Sequence, residues 1–175
     1  MNPRRQFLKT SALLGAVFAT RGALAQTTSA TAPAAKPAGP DRPPPLDKDL
    51  VKAFVVAAHG DLAKTQAMLA AQPHLINATW DWGGGDFETA LGGASHMGRR
   101  DIALFLLGHG ARPDIFAVTM LGYLDVVKAL LAARPDTLNC PGPHGIPLIV
   151  HARKGGAEAA AVLAYLEGLA PAKAT

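Results

Sequence analysis

Apolar and polar positions follow a helical rather than a strand period along most of this chain, and the pattern returns four times. Residues 51–69, 89–107, 113–131 and 146–164 each hold a short apolar stretch, a glycine, and a second stretch with apolar residues at i, i+3 and i+4. The glycines are Gly60, Gly98, Gly122 and Gly155, spaced 38, 24 and 33 residues apart. The pattern predicts four helix–turn–helix units, with each glycine supplying a left-handed turn. Asp61, Asp101 and Asp125 fall near the start of the second helix, where a carboxylate satisfies free amides and faces the positive end of the helix dipole. Strand-like alternation is scarce, so little sheet is expected beyond short hairpins between units.

A unit of this kind exposes an apolar face by itself and loses it by stacking on a neighbour. Ala57, Ala58, Ala90, Ala94, Ala117 and Ala152 on the first helices would permit close approach. Thr89-Ala90-Leu91 and Ile146-Pro147-Leu148 resemble the Thr-Pro-Leu entry of the ankyrin repeat. Gly110-Ala111-Arg112-Pro113-Asp114, Ile76-Asn77-Ala78 and Leu138-Asn139 resemble its connecting segments. The resemblance covers about residues 48 to 168. It implies an all-α, ankyrin-type solenoid of about four repeats with short finger loops. The 24-residue spacing reads as a missing finger, Arg112 leading straight into Pro113 as a first-turn residue. The family's usual His after Thr-Pro-Leu is replaced by Phe54, Gly92, Phe116 and Ile149, so fewer polar links between repeats are expected.

Composition sharpens the picture. A chain of 175 residues with 49% apolar content suits one globular domain and excludes full disorder. One cysteine excludes a disulfide framework and a cysteine-based zinc site. The basic excess sits in Arg4, Arg5, Lys9 and Arg21; the rest of the chain holds 13 basic and 13 acidic residues, which removes the charge surplus that drives phosphate binding. Arg4-Arg5-Gln6-Phe7-Leu8-Lys9, the apolar stretch Ala12 to Ala25, and Ala23-Leu24-Ala25 before Gln26 resemble a twin-arginine export signal. That resemblance implies a signal peptide over 1–25, export in the folded state and a periplasmic location, with no stable membrane span in the mature chain. Residues 26–45 are proline-rich and read as a linker, 46–170 as the repeat domain and 171–175 as a tail.

Two candidate surfaces emerge. The resemblance places Ala58 and His59, His96 and Met97, Met120 and Leu121, and Arg153 and Lys154 at exposed ends of the inner helices. The first finger, Trp80-Asp81-Trp82-Gly83-Gly84-Gly85-Asp86-Phe87-Glu88, offers aromatic anchors on a glycine-flexed loop. The leading reading is a non-enzymatic module that binds a protein partner in the envelope through Trp80, Trp82, Phe87, His96, Met97, Met120 and Arg153, with no catalytic residue, metal or cofactor. One of the two tryptophans is also a candidate to fold back and seal the core. The alternative is a small-molecule or metal site formed by Asp81, Asp86, Glu88, His96, His144 and His151, a donor set that suits zinc, copper or iron. Cys140 and His144 on the second finger read as part of a rigid turn, and Arg99-Arg100 and Arg153-Lys154 as solvated helix ends.

Overall fold

The computed structural model describes residues 43–169. The expected signal peptide, the linker up to residue 42 and the tail at 171–175 lie outside the described residues. Within them the fold is helical: α1 (Lys48–Ala58), α2 (Leu62–Ala71), α3 (Ala90–His96), α4 (Arg100–Gly108), α5 (Ile115–Met120), α6 (Leu124–Ala133), α7 (Leu148–Lys154) and α8 (Ala160–Leu169). One antiparallel hairpin, β1 (Thr79–Asp81) with β2 (Phe87–Thr89), completes the first finger. Short 3₁₀ turns lie at Pro73–Asn77, Pro135–Asn139, Pro143–Gly145 and Gly156–Ala159.

These helices are too short to persist alone in water, and their caps and packing explain why they form. Asp47, Asp61, Thr89 and Asp114 each accept backbone N–H groups at a helix start. Asp101 and Asp125 stand in the first turns of α4 and α6 instead, favourable to the dipole without capping. Pro113 falls just ahead of the Asp114 cap rather than in the first turn. Each helix pairs with its successor in a hairpin: α1 with α2, α3 with α4, α5 with α6, α7 with α8. The odd helices then pack in sequence, α1 on α3, α3 on α5, α5 on α7. Additional contact between α3 and α7 shows that the row of first helices bends tightly around α5. All seven residues of α3 are buried, and five of them are Ala, Gly or Ser.

The turn glycines partly follow expectation. Gly98 (φ 72°) and Gly122 (φ 78°) take the left-handed conformation. In the last hairpin that role passes to Gly156 (φ 61°), with Gly155 at φ −71°, and Gly60 keeps an ordinary backbone. Close approach is a second reason for glycine here. A Cβ at Gly98 would stand 2.6 Å from the Lys154 carbonyl oxygen, and one at Gly122 would run into the Glu158 carbonyl.

Polar links join the hairpins. The Asn77 side-chain amide donates to Gly110 O (3.1 Å) and accepts from Arg112 N (2.8 Å). Arg100 donates to Leu121 O (2.9 Å), and Arg99 to Gly60 O. Arg99 and Arg100 therefore stitch neighbouring hairpins rather than merely meeting solvent. No helix among the described residues is long and apolar enough to cross a membrane.

Gly122→Ala is expected to destabilise the protein by about 2 kcal/mol or more, since the left-handed conformation alone costs roughly 1–2 kcal/mol for a residue with a Cβ and the Glu158 backbone must also move. Gly168→Ala, in α8 with open space around it, should be neutral or stabilising by up to about 1 kcal/mol. Urea unfolding of both variants measures the contrast.

Candidate metal centre

The first finger is shaped by its own side chains. Asp81 accepts from the N–H groups of Gly83 (2.8 Å) and Gly85 (3.2 Å), and Gly83, Gly84 and Gly85 all take positive φ. That turn returns β2 in register, with Trp80 opposite Glu88. Strand alternation then sends Phe87 outward, 61% exposed, and Glu88 inward, 1% exposed. Glu88 is the one buried carboxylate among the described residues.

Three imidazoles surround it. His96, in the last turn of α3, places Nε2 2.8 Å from Glu88 Oε1. His59, the C-cap of α1, places Nε2 3.1 Å from His96 Nε2 and 3.4 Å from Glu88 Oε2. His144, on the second finger, places Nε2 3.4 Å from Glu88 Oε2. One donor atom from each of the four residues lies within 4.8 Å of the others. Trp82 Nε1 donates to Glu88 Oε2 at 2.8 Å, and its ring stands beside those of His59 and His144.

The outer nitrogens set which way these rings work. His59 Nδ1 lies 2.9 Å from the Val55 carbonyl, and His144 Nδ1 lies 2.8 Å from Asp86 Oδ2. A carbonyl or carboxylate oxygen only accepts, so each Nδ1 carries its hydrogen and the Nε2 lone pair faces the cluster in the neutral ring. Asp86 fastens His144 twice, accepting its backbone N–H through Oδ1 at 2.8 Å as well. His144 takes φ 58°, the single positive φ of a non-glycine among the described residues.

Space for these groups is made by glycine. A Cβ at Gly93 would stand 2.8 Å from the His59 ring, and one at Gly92 would stand 3.3 Å from Glu88 Cγ and 3.4 Å from Pro143 Cγ. Two adjacent glycines inside a seven-residue helix cost roughly 1 kcal/mol each in helix propensity relative to alanine. They free the room that Glu88 and His59 occupy. The short connection between α4 and α5 has a matching effect: no hairpin stands between the first finger and the second, and His144 reaches Asp86 and Glu88 directly.

The electrostatics favour a cation. Burial pushes the Glu88 carboxyl upward, but hydrogen bonds from His96 and Trp82 and the proximity of His59 and His96 outweigh it, so Glu88 titrates below the ordinary range. The His144 backbone N–H, foremost, also holds Asp86 low. A buried carboxylate whose neighbours are an indole and neutral imidazoles still lacks a full positive charge to offset its own. Four donors bonded to one zinc-like ion at about 2.0–2.1 Å stand roughly 3.3 Å apart; the donors here lie within 4.8 Å of one another, with close pairs at 2.8–3.4 Å that use both Glu88 oxygens, so small ring movements would complete the shell. His59 and His144 are partly exposed, 24% and 33%, which gives the cluster access to solvent.

Of the alternative donor set, the structure brings together Glu88, His96 and His144 and puts Asp86 behind His144. Asp81 is spent on the glycine turn. His151 is buried elsewhere, against Phe116, with Nδ1 3.2 Å from Pro147 O and Nε2 without a partner. His59 enters the cluster although it was placed only among the inner-helix ends. Its sequence signal was its place next to Gly60, matching His96 near Gly98 in the following unit. Of the protein-binding set, Met120 is buried completely, as Leu121 nearly is, so neither forms an exposed helix end. Both belong to the apolar cluster that includes Leu91, Ala94, Ile102 and Leu106 of the preceding hairpin. Trp80 packs on the core, with Lys52 Nζ 5.3 Å above its ring. Trp82, Phe87 and Met97 are exposed, His96 is buried in the cluster, and exposed Arg153 lies 3.7 Å from Glu167.

No protein-family model matches the chain, and no curated protein or solved structure is significantly similar to it.

Burial holds His151 below the ordinary imidazole value of about 6.5. The unfolded chain therefore binds this proton more readily. The related stability is full above about pH 6.5 and is lost as pH falls through the folded value. Thermal melts between pH 7 and 5 should show a steeper loss for wild type than for His151→Gln.

Proposed function

We propose that this chain is a transition-metal-binding protein of the bacterial cell envelope, built on an ankyrin-type array and exported through a twin-arginine signal. The observation that carries the metal reading is the convergence of three imidazole nitrogens and one buried carboxylate, with the outer nitrogens of His59 and His144 tied to acceptors. Outer partners of that kind orient metal-binding histidines and raise their basicity. Three neutral imidazoles and a carboxylate suit a borderline divalent ion such as zinc. With Asp86 behind His144, the two carboxylates balance a divalent charge. The Gly-centred helix pairs support the ankyrin-type assignment, and Arg4-Arg5 with the apolar stretch after it supports export.

Protein purified after native export should carry one metal ion per chain by elemental analysis, and metal-free protein should bind zinc in titration calorimetry. Glu88→Gln and His96→Ala should each weaken binding by about 100-fold or more, and Asp86→Asn by about 10- to 100-fold. Gly93→Ala should weaken binding despite alanine's better helix propensity, because the His59 ring must move. Absence of metal from the exported protein, together with no zinc binding in the calorimeter, sinks the reading.

A second reading keeps the exposed aromatic finger as a docking element for an envelope protein. It rests on Phe87 (61% exposed) and Met97 (46% exposed), adjacent in sequence to Glu88 and His96. Pull-down from a periplasmic extract with wild type and a Phe87→Ala/Met97→Ala variant tests it; partner recovery should fall in the variant, and unchanged recovery rejects this use of the finger.

A further inference from the structure

The second finger, residues 140–147, has little of its own to hold it in place. It contains no strand, and its 3₁₀ turn at Pro143–Gly145 contributes no buried residue. Its internal hydrogen bonds, Gly142 N to Ile146 O (3.0 Å) and Ile146 N to Pro143 O (3.1 Å), make the loop compact but do not attach it to anything. Pro143 lies close to Gly92 and Gly142 close to the Phe116 ring, and the polar attachment falls to His144. Its backbone N–H and ring Nδ1 each meet an oxygen of Asp86 at 2.8 Å, and both residues are about one-third exposed in their side chains. His144 makes this contact from a left-handed backbone conformation that carries strain in a residue with a side chain. Two solvent-accessible hydrogen bonds and a small area of packing thus oppose a strained backbone and the entropy of ordering a loop.

The same side chain reaches the cluster with its other nitrogen. His59, Glu88 and His96 come from α1, β2 and α3, elements already packed together in the first two hairpins. Only His144 comes from the far end of the row. A cation shared by the four would add a bond between a pre-formed three-donor cup and a loosely fastened loop. We infer that the metal acts as a clasp: it is held first by His59, Glu88 and His96, and capture of His144 Nε2 locks the second finger onto the first. The locked loop supplies Pro141 and Pro143 to a groove of about 610 Å³ that Phe87 and Phe116 also line. Metal occupancy therefore controls how firmly the loop's share of that groove is held. The inference rests on the metal reading above and adds a conformational consequence to it.

Hydrogen exchange measured by mass spectrometry on the mature chain tests it, with chelator or with one equivalent of zinc chloride. In wild type, zinc should slow exchange in peptides spanning 140–147 by about tenfold or more, and by clearly less in peptides from α2. His144→Asn tolerates the left-handed backbone and removes the ring. It should still bind zinc through three donors, more weakly, without the selective slowing at 140–147. Equal slowing of the finger and α2, or selective slowing that survives in His144→Asn, overturns the clasp. Calorimetry on the same samples separates the two ideas: no zinc binding by wild type removes the metal reading, whereas zinc binding with an unchanged finger removes the clasp alone.

Discussion

Every helix among the described residues is 6 to 11 residues long, and a helix of that length is held mainly by what its apolar face meets. The fold meets this constraint by pairing each helix with the next and setting the pairs side by side, so that each hairpin completes its neighbour's core. Close approach is the condition, and it shows in the residues at the contacts. α3 consists largely of alanine and glycine, and Gly98 and Gly122 both abut backbone carbonyls of the α7–α8 hairpin, at Lys154 and Glu158. Where a link must be polar, Arg99, Arg100 and Asn77 reach carbonyls one hairpin away.

Within that apolar frame one negative charge is buried. Glu88 is brought inward by the pairing of two three-residue strands, whose turn is held by Asp81 and three glycines. An indole N–H and an imidazole within hydrogen-bond distance stabilise the charge, and two more imidazole nitrogens stand 3.4 Å from it, where a shared cation would offset the repulsion between their lone pairs and the carboxylate. Glycine at 92 and 93 opens the helix surface on which this set rests. The short connection between α4 and α5 puts no hairpin between the two fingers. Two helix glycines and one short spacing between turn glycines thus converge on one place.

Much of the architecture was legible in the residues. Apolar spacing around Gly60, Gly98, Gly122 and Gly155 located four helix pairs, because helix period and turn chemistry are local properties. The finger at residues 80–88 was legible for the same reason. The centre was legible only in part. Glu88, His96 and His144 were candidates by residue type, yet nothing local distinguished them from Asp81, which holds a turn, or from His151, which packs on Phe116. His59 was visible as a helix-end residue but not as a partner of Glu88, since the two meet only when α1 lies on α3. Met120 and Leu121 occupy positions equivalent to an exposed end in the pattern, and packing against the preceding hairpin buries them.

By itself, then, the order of residues determined where helices start and stop, which faces are apolar, and that charge is balanced beyond the N-terminal basic segment. Those are set by backbone propensity, caps and periodicity over a few residues. Which imidazoles gather around Glu88, which nitrogen of each faces inward, and which glycine takes the last left-handed turn were decided by tertiary structure. Each depends on distances between hairpins that share no local sequence, and such distances exist only after the apolar faces have closed on one another.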